Sequence, residues 1–157
     1  MIAEPSIDGL IQAIGNGSAY DQLQLPLNPF EWREFAQALQ PLNLQVGHVL
    51  IERGGTDRVA YLIESGVLSA HIPDGSGRMR LAVLNPGTVA GEGGFLSAQP
   101  RSASVITTSA GRVWCLSIHR FEDLALRSPQ IALLVAWAFG SVAVRRCNHP
   151  TQRLAIT

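Results

Sequence analysis

The chain has 157 residues, 46 % of them apolar and 15 % charged, a balance that suits one globular domain with its own core and excludes a disordered segment. Acidic and basic residues stand at twelve each, every basic one an arginine, so no net positive field gathers nucleic acid or an anionic membrane. Cys115 and Cys147 are too few for a disulfide framework and are read as reduced, and residues 1–8 lack the basic start and apolar run of an export signal; the expected location is cytoplasmic.

The first forty residues read as helical. Ile7, Leu10, Ile11 and Ile14 recur at helical spacing, and Gly15 or Gly17 ends the run. A second helix has Asn28 as N-cap, Pro29 at its first position and Glu31 placed to close a capping box, after which Trp32, Phe35 and Leu39 line one face for packing against a sheet.

From Leu42 to Leu116 the pattern changes to short β-rich runs between glycines and turn residues. Candidate strands are His48–Glu52, Val59–Ser65, Val67–Ile72, Arg78–Leu84, Ser104–Thr108 and Arg112–Ser117. Glu64-Ser65-Gly66 and Asp74-Gly75-Ser76-Gly77 are expected as tight hairpins, and Asn85-Pro86-Gly87 as a third turn. Short strands with regular turn signals favour a double-sheet roll or jelly roll over a βαβ arrangement, and the fold class is α+β.

Past the strands, Ile118–Arg127 carries Phe121, Leu124 and Ala125 at helical spacing with Glu122 and Asp123 opposite, the pattern of a short docking helix. Pro129 then opens a helix, Ile131–Val144, that is apolar nearly all round and, at this length and interrupted by Gly140 and Ser141, too short to span a bilayer. One domain covers only one side of such a helix, so a homodimer through residues 129–146 is expected.

Two isolated charges sit in the otherwise small and apolar stretch Gly91–Val105, GEGGFLSAQPRSASV. Gly91, Gly93 and Gly94 let the backbone approach a ligand and start a short helix whose N–H groups face an anion. Arg101 adds a planar fork of donors that fits two phosphate oxygens. Glu92 would repel a phosphate, so its task is to accept from hydroxyls such as those of a ribose. A ligand with both phosphate and sugar satisfies the set.

Gly91-Glu92 followed by Pro100-Arg101-Ser102-Ala103-Ser104-Val105 resembles the phosphate-binding cassette of the cyclic nucleotide-binding domain family. The likeness extends upstream through Gly47-His48-Val49-Leu50-Ile51, Gly54 or Gly55, Asp57, Tyr61-Leu62-Ile63 and Gly66-Val67, and covers roughly Leu39 to Arg146. It implies an antiparallel β-roll of about eight strands flanked by helices at both ends, with Glu92 on the ribose 2′-hydroxyl, Arg101 on the cyclic phosphate and Ser102 adding a further contact. Gly91, Gly93, Gly94 and Ala103 complete the implied ligand set, and the last helix closes over the base, where Arg145 or Arg146 could donate to it. Ala90, where an aromatic is usual before Gly-Glu, and Gly93-Gly94-Phe95, in place of a more aliphatic run, depart from the family pattern.

The organisation expected is a helical segment over residues 1–40, a cyclic nucleotide-binding roll over 41–128 with its cassette at 91–105, and a lid or dimerisation helix with a tail over 129–157. The transcription factors that the chain resembles continue into a helix-turn-helix domain; only ten residues follow Cys147, so no direct DNA binding is expected and the output passes to an effector protein. The ligand expected is cAMP, then cGMP, then a cyclic dinucleotide. A degenerate roll used only for protein interaction is the competing reading. No enzyme, cofactor or metal is expected: there is no GxxxxGK[ST], GxGxxG or GxSxG pattern, and His48, His71, His119 and His149 are scattered.

Overall fold

The computed structural model describes residues 5–73 and 75–149. Asp74, at the tip of the second expected hairpin, lies outside the described residues. In chain order the elements are α1 (Asp8–Asn16), α2 (Pro29–Ala36), β1 (Gln40–Leu44), β2 (Val49–Ile51), β3 (Val59–Pro73), β4 (Met79–Leu84), β5 (Val89–Ala90), α3 (Glu92–Ser97), β6 (Ser104–Ser117), α4 (Ile118–Arg127) and α5 (Pro129–Asn148).

Local signals decide the helix ends. The Asn28 side chain accepts from the Glu31 backbone N–H at 2.8 Å while the Glu31 carboxylate accepts from the Asn28 N–H at 3.0 Å, so α2 begins with both halves of a capping box. Ser117 caps α4 by accepting from the Arg120 N–H.

The sheet is antiparallel with the order β1-β6-β3-β4, β2 pairing with β6 and β5 with β3. Six strands are present among the described residues, against the about eight that the resemblance implies: two pairs of candidate strands are each one long strand, β3 and β6, while β1 and β5 match no candidate. Glu64-Ser65-Gly66 is not a hairpin: β3 runs straight through it, with register irregularities against β6 between Ile63 and Leu68. Gly66 has φ +85°, and a Cβ there would come within 2.6 Å of the Ser109 carbonyl oxygen, so the two strands bulge and bend together where glycine permits close approach. The other side of the same crossing is Gly111, where a Cβ would collide with the Ser65 backbone.

Burial falls into two clusters, one on each side of the central strands. Leu44, Ile51, Ile63, Leu68, Leu84, Val105 and Val113 fill the roll. Leu10, Trp32, Phe35, Leu62, Trp114, Leu116, Leu124, Val135 and Phe139 form the second core, between the sheet and the helices. Phe95 of α3 belongs to this second core, edge-on to both Phe121 of α4 and Phe139 of α5 at 5.4 and 5.6 Å between ring centroids. The aromatic contact ties the short helix α3 to the C-terminal helices.

The helix α5 is longer than expected, 20 residues, and has two distinct faces. Ile131, Ala132, Val135, Ala138, Phe139, Val142 and Arg146 are buried, whereas Leu133, Trp137 and Val144 are exposed. Length and composition alone would now let it cross a bilayer, so the expectation that it is too short falls. Its buried face nevertheless packs into the second core and ends in a buried arginine.

Candidate functional site

The stretch Gly91–Val105 lies where β5 ends, α3 begins and β6 starts. Gly91 caps α3 at φ +84°, a left-handed conformation that disfavours side chains, and a Cβ there would sit 2.6 Å from Arg101 Nη1 and 2.9 Å from the Val59 carbonyl oxygen. Glycine is therefore required for Arg101 to pass beneath the head of α3.

Arg101 is pinned by its backbone and its side chain. Its N–H donates to the Gly55 carbonyl at 2.8 Å, and its own carbonyl accepts from the Gly54 N–H at 2.7 Å, which joins the cassette to the turn after β2. The guanidinium donates from Nη1 to the Gly91 carbonyl at 2.8 Å, from Nη2 to the Val59 carbonyl at 2.6 Å, and from Nη2 to Asp57 Oδ2 at 2.8 Å. Nε reaches Asp57 Oδ1 at 3.4 Å, so the fork engages both oxygens of one carboxylate. Arg101 is 2 % exposed, while the Asp57 side chain is half-exposed.

Glu92, the first residue of α3, is 0 % exposed. Its Oε2 lies 2.9 Å from Nη1 of Arg146, itself fully buried near the end of α5. Nη2 and Nε of Arg146 donate to Asp21 Oδ2 at 3.0 and 3.1 Å, and Nη2 also donates to Thr88 Oγ1 at 3.0 Å. Thr88 Oγ1 in turn donates to the Asp21 carbonyl at 2.6 Å. Burial works against the Arg146 charge, but Glu92 and Asp21 together outweigh it and hold the guanidinium's pKa above its ordinary value. The Glu92–Arg146 contact is short but not aligned as a hydrogen bond, and Glu92 Oε1 has no hydrogen-bond partner among the described residues.

The remaining cassette positions divide by exposure. Gly94 and Ala103 are buried, Gly93 is half-buried and Ser102 is exposed. Arg145 does not join the cassette: it donates to the Tyr20 carbonyl at 2.9 Å and to the Ser141 carbonyl at 3.3 Å. Arg146 does join it, but on the carboxylate of Glu92 rather than as a free donor above the pocket. Sequence reasoning thus brought Glu92 and Arg101 to the site and missed Asp21 and Thr88, which lack any periodic or motif signal. Among the described residues, no group of three His, Cys, Asp or Glu gathers in a way that could hold a metal.

The family model of the cyclic nucleotide-binding domain matches residues 41–128, more than half of the chain and the whole of the cassette. The chain belongs to the cyclic nucleotide-binding domain family. It is 33 % identical over 98 residues to the cAMP-dependent protein kinase regulatory subunit of Hypocrea atroviridis, a match that covers 62 % of this chain and 20 % of that protein. The corresponding subunit of Mycosarcoma maydis is 25 % identical over 138 residues, covering 80 % of this chain and 26 % of its own length. The chain thus spans about a quarter of the curated relatives it matches. Among solved structures, a cyclic nucleotide-binding domain from Methylobacillus flagellatus superposes with a TM-score of 0.77 at 17 % identity, covering 89 % of this chain and 77 % of that one. That likeness concerns the fold: an antiparallel β-roll with helices at both ends.

Arg101 and Glu92, the two charged residues of the stretch Gly91–Val105, are each already occupied from within the chain. Asp57 supplies Arg101 with a two-oxygen anion, and Arg146 supplies Glu92 with a cation. A ligand phosphate is a chemical equivalent of the first partner, with the same bidentate fit to the guanidinium.

Proposed function

We propose that the chain is a cyclic nucleotide-binding sensor whose ligand is cAMP in preference to cGMP, and that it passes the signal to a partner protein through α5 rather than catalysing a reaction. The observation that carries this reading is the seating of Arg101 on the Gly91 carbonyl, at the glycine-capped head of the helix that Glu92 begins, inside a domain of this family. The preference for cAMP is supported by the cAMP-dependent kinase subunits among the relatives.

In this reading binding is an exchange of anions. The phosphate takes the edge of Arg101 that now holds Asp57, while the Gly91 and Val59 carbonyls keep the guanidinium in place. Ser102 and Ala103 border the phosphate, and Glu92 accepts from the ribose. Because α3 packs through Phe95 on Phe139, a shift of the cassette is transmitted to α5. The exposed stripe of Leu133, Trp137 and Val144 on α5 is the surface for a second copy of the chain.

One observation favours a second reading, a roll that serves only in protein interaction: Glu92 and Arg101 are both closed to solvent and paired internally. Thermal unfolding separates the two. Ligand at a hundred times its dissociation constant stabilises the sensor by about 2.7 kcal/mol. An interaction-only roll does not respond to cAMP or cGMP.

A further inference from the structure

The helix α3 cannot hold itself together. It has six residues, too few for a stable isolated helix, and Gly93 and Gly94 are the poorest helix formers after proline. Its C-terminal end departs from the usual arrangement in two ways. Ala98 caps it at φ +60°, the one non-glycine residue with a positive φ among the described residues, in a conformation that glycine ordinarily supplies. The Phe95 carbonyl, moreover, is not reached by the amide four residues on, because the Gln99 N–H donates to Ser97 Oγ at 3.2 Å. A side chain from outside the helix takes that carbonyl instead: Arg58 donates to it from Nη2 at 2.7 Å and from Nε at 3.1 Å.

Arg58 works from a fixed base. Its own carbonyl accepts from the Ile118 N–H at 3.0 Å, where β6 passes into α4. Its two neighbours hold Arg101, Asp57 through the carboxylate and Val59 through the carbonyl. We propose that Arg58 is a positioning residue for the cassette: by capping the Phe95 carbonyl it keeps α3 wound, with Gly91 and Glu92 in place at its head, before a ligand arrives. The inference rests on the cyclic-nucleotide reading and deepens it, because it places the readiness of the cassette on a residue outside Gly91–Val105. In this role Arg58 sets how often α3 is ready and does not touch the ligand, so its removal slows association and leaves dissociation unchanged.

Hydrogen exchange without ligand and stopped-flow binding of a fluorescent cAMP derivative test this on wild type, Arg58→Met, Ala98→Gly and the double variant. Arg58→Met keeps an apolar stem and removes the donors. In it the amides of Phe95 and Ala98, which close α3 on the Gly91 and Gly94 carbonyls, should lose protection by at least about fivefold, the effect of losing a hydrogen bond from a charged donor. With α3 unwound for most of the time, the association rate should fall by at least about threefold, and dissociation should stay within about twofold of wild type. Ala98→Gly relieves the positive φ. Added to Arg58→Met it should return much of the lost protection and association rate; alone it should raise the protection of the Phe95 amide by at least about threefold. A folded Arg58→Met with unchanged protection overturns the proposal, and so does lost protection with association unaltered, which confines Arg58 to the stability of α3. If Arg58→Met does not fold, Ala98→Gly alone decides, and unchanged protection of Phe95 contradicts a helix governed from its C-terminal end. A wild type that binds no cyclic nucleotide removes the cyclic-nucleotide reading, while the exchange rates still decide whether Arg58 holds α3.

Discussion

At the scale of single residues, the resting state of Arg101 is the most informative feature. A buried guanidinium must have a counter-charge, and Asp57 is the anion that the chain provides. Because Asp57 is half-exposed, the pair is partly screened and contributes modestly to stability. In Asp57→Asn the unliganded protein should unfold at a slightly lower temperature than wild type. Saturating cAMP should raise that temperature by more than in wild type, since the phosphate restores the missing charge; an equal or smaller shift in a thermal scan contradicts the exchange. Arg101 and Glu92 were legible in the sequence because each is a lone charge in a small, apolar stretch. The partners of Glu92 were not: Asp21 and Arg146 are separated by 125 positions, and nothing local to either records that they meet.

At the scale of elements, the capped helices were the most legible, because their signals are complete within four residues. α4 has the expected bounds, and α2 begins at Asn28-Pro29 with the expected capping box. The long strands were misread where glycine has two meanings. Gly66 suggested a hairpin turn, yet its positive φ serves a bulge at which β3 and β6 cross closely. The apolar run that marks α5 in the sequence stops at Val144, whereas burying Arg146 against Glu92 and Asp21 carries the helix on to Asn148. The exposed stripe of α5 leads to a prediction of its own. Sedimentation should find wild type associating into a dimer with rising concentration and Trp137→Glu remaining monomeric, with cAMP affinity within about twofold because Trp137 faces away from the core. A wild type that stays monomeric at every concentration refutes the seam.

At the scale of the whole molecule, the roll, its flanking helices and the α+β class were legible, since turn chemistry and strand pattern agree over most of the chain; the internal pairing of Arg101 and Glu92 was not, because it depends on contacts between distant segments. The same closure of the interior has a consequence for pH. Tyr61 and Cys115 face each other across β3 and β6. Burial pushes the Cys115 thiol up from 9.0 to about 11, and burial, aided by Cys115 and Asp57, pushes the Tyr61 phenol up from 10.0 to about 12. The unfolded chain releases these protons first, so the stability they confer is intact below about pH 9 and is lost as pH rises through about 11 and 12. Denaturant midpoints at about pH 8 and about pH 10.5 should show the fall, and Cys115→Val should lessen it; an unchanged midpoint argues against this half-buried pair. The central claim, that the cassette is a working cyclic nucleotide site, is tested most directly by isothermal titration of cAMP into wild type and Arg101→Ala, with circular dichroism confirming that the variant is folded. Saturable binding to wild type, weakened by roughly 30-fold or more in the variant, is the predicted result. Absence of binding to wild type, or a folded variant within twofold of it, would contradict the account.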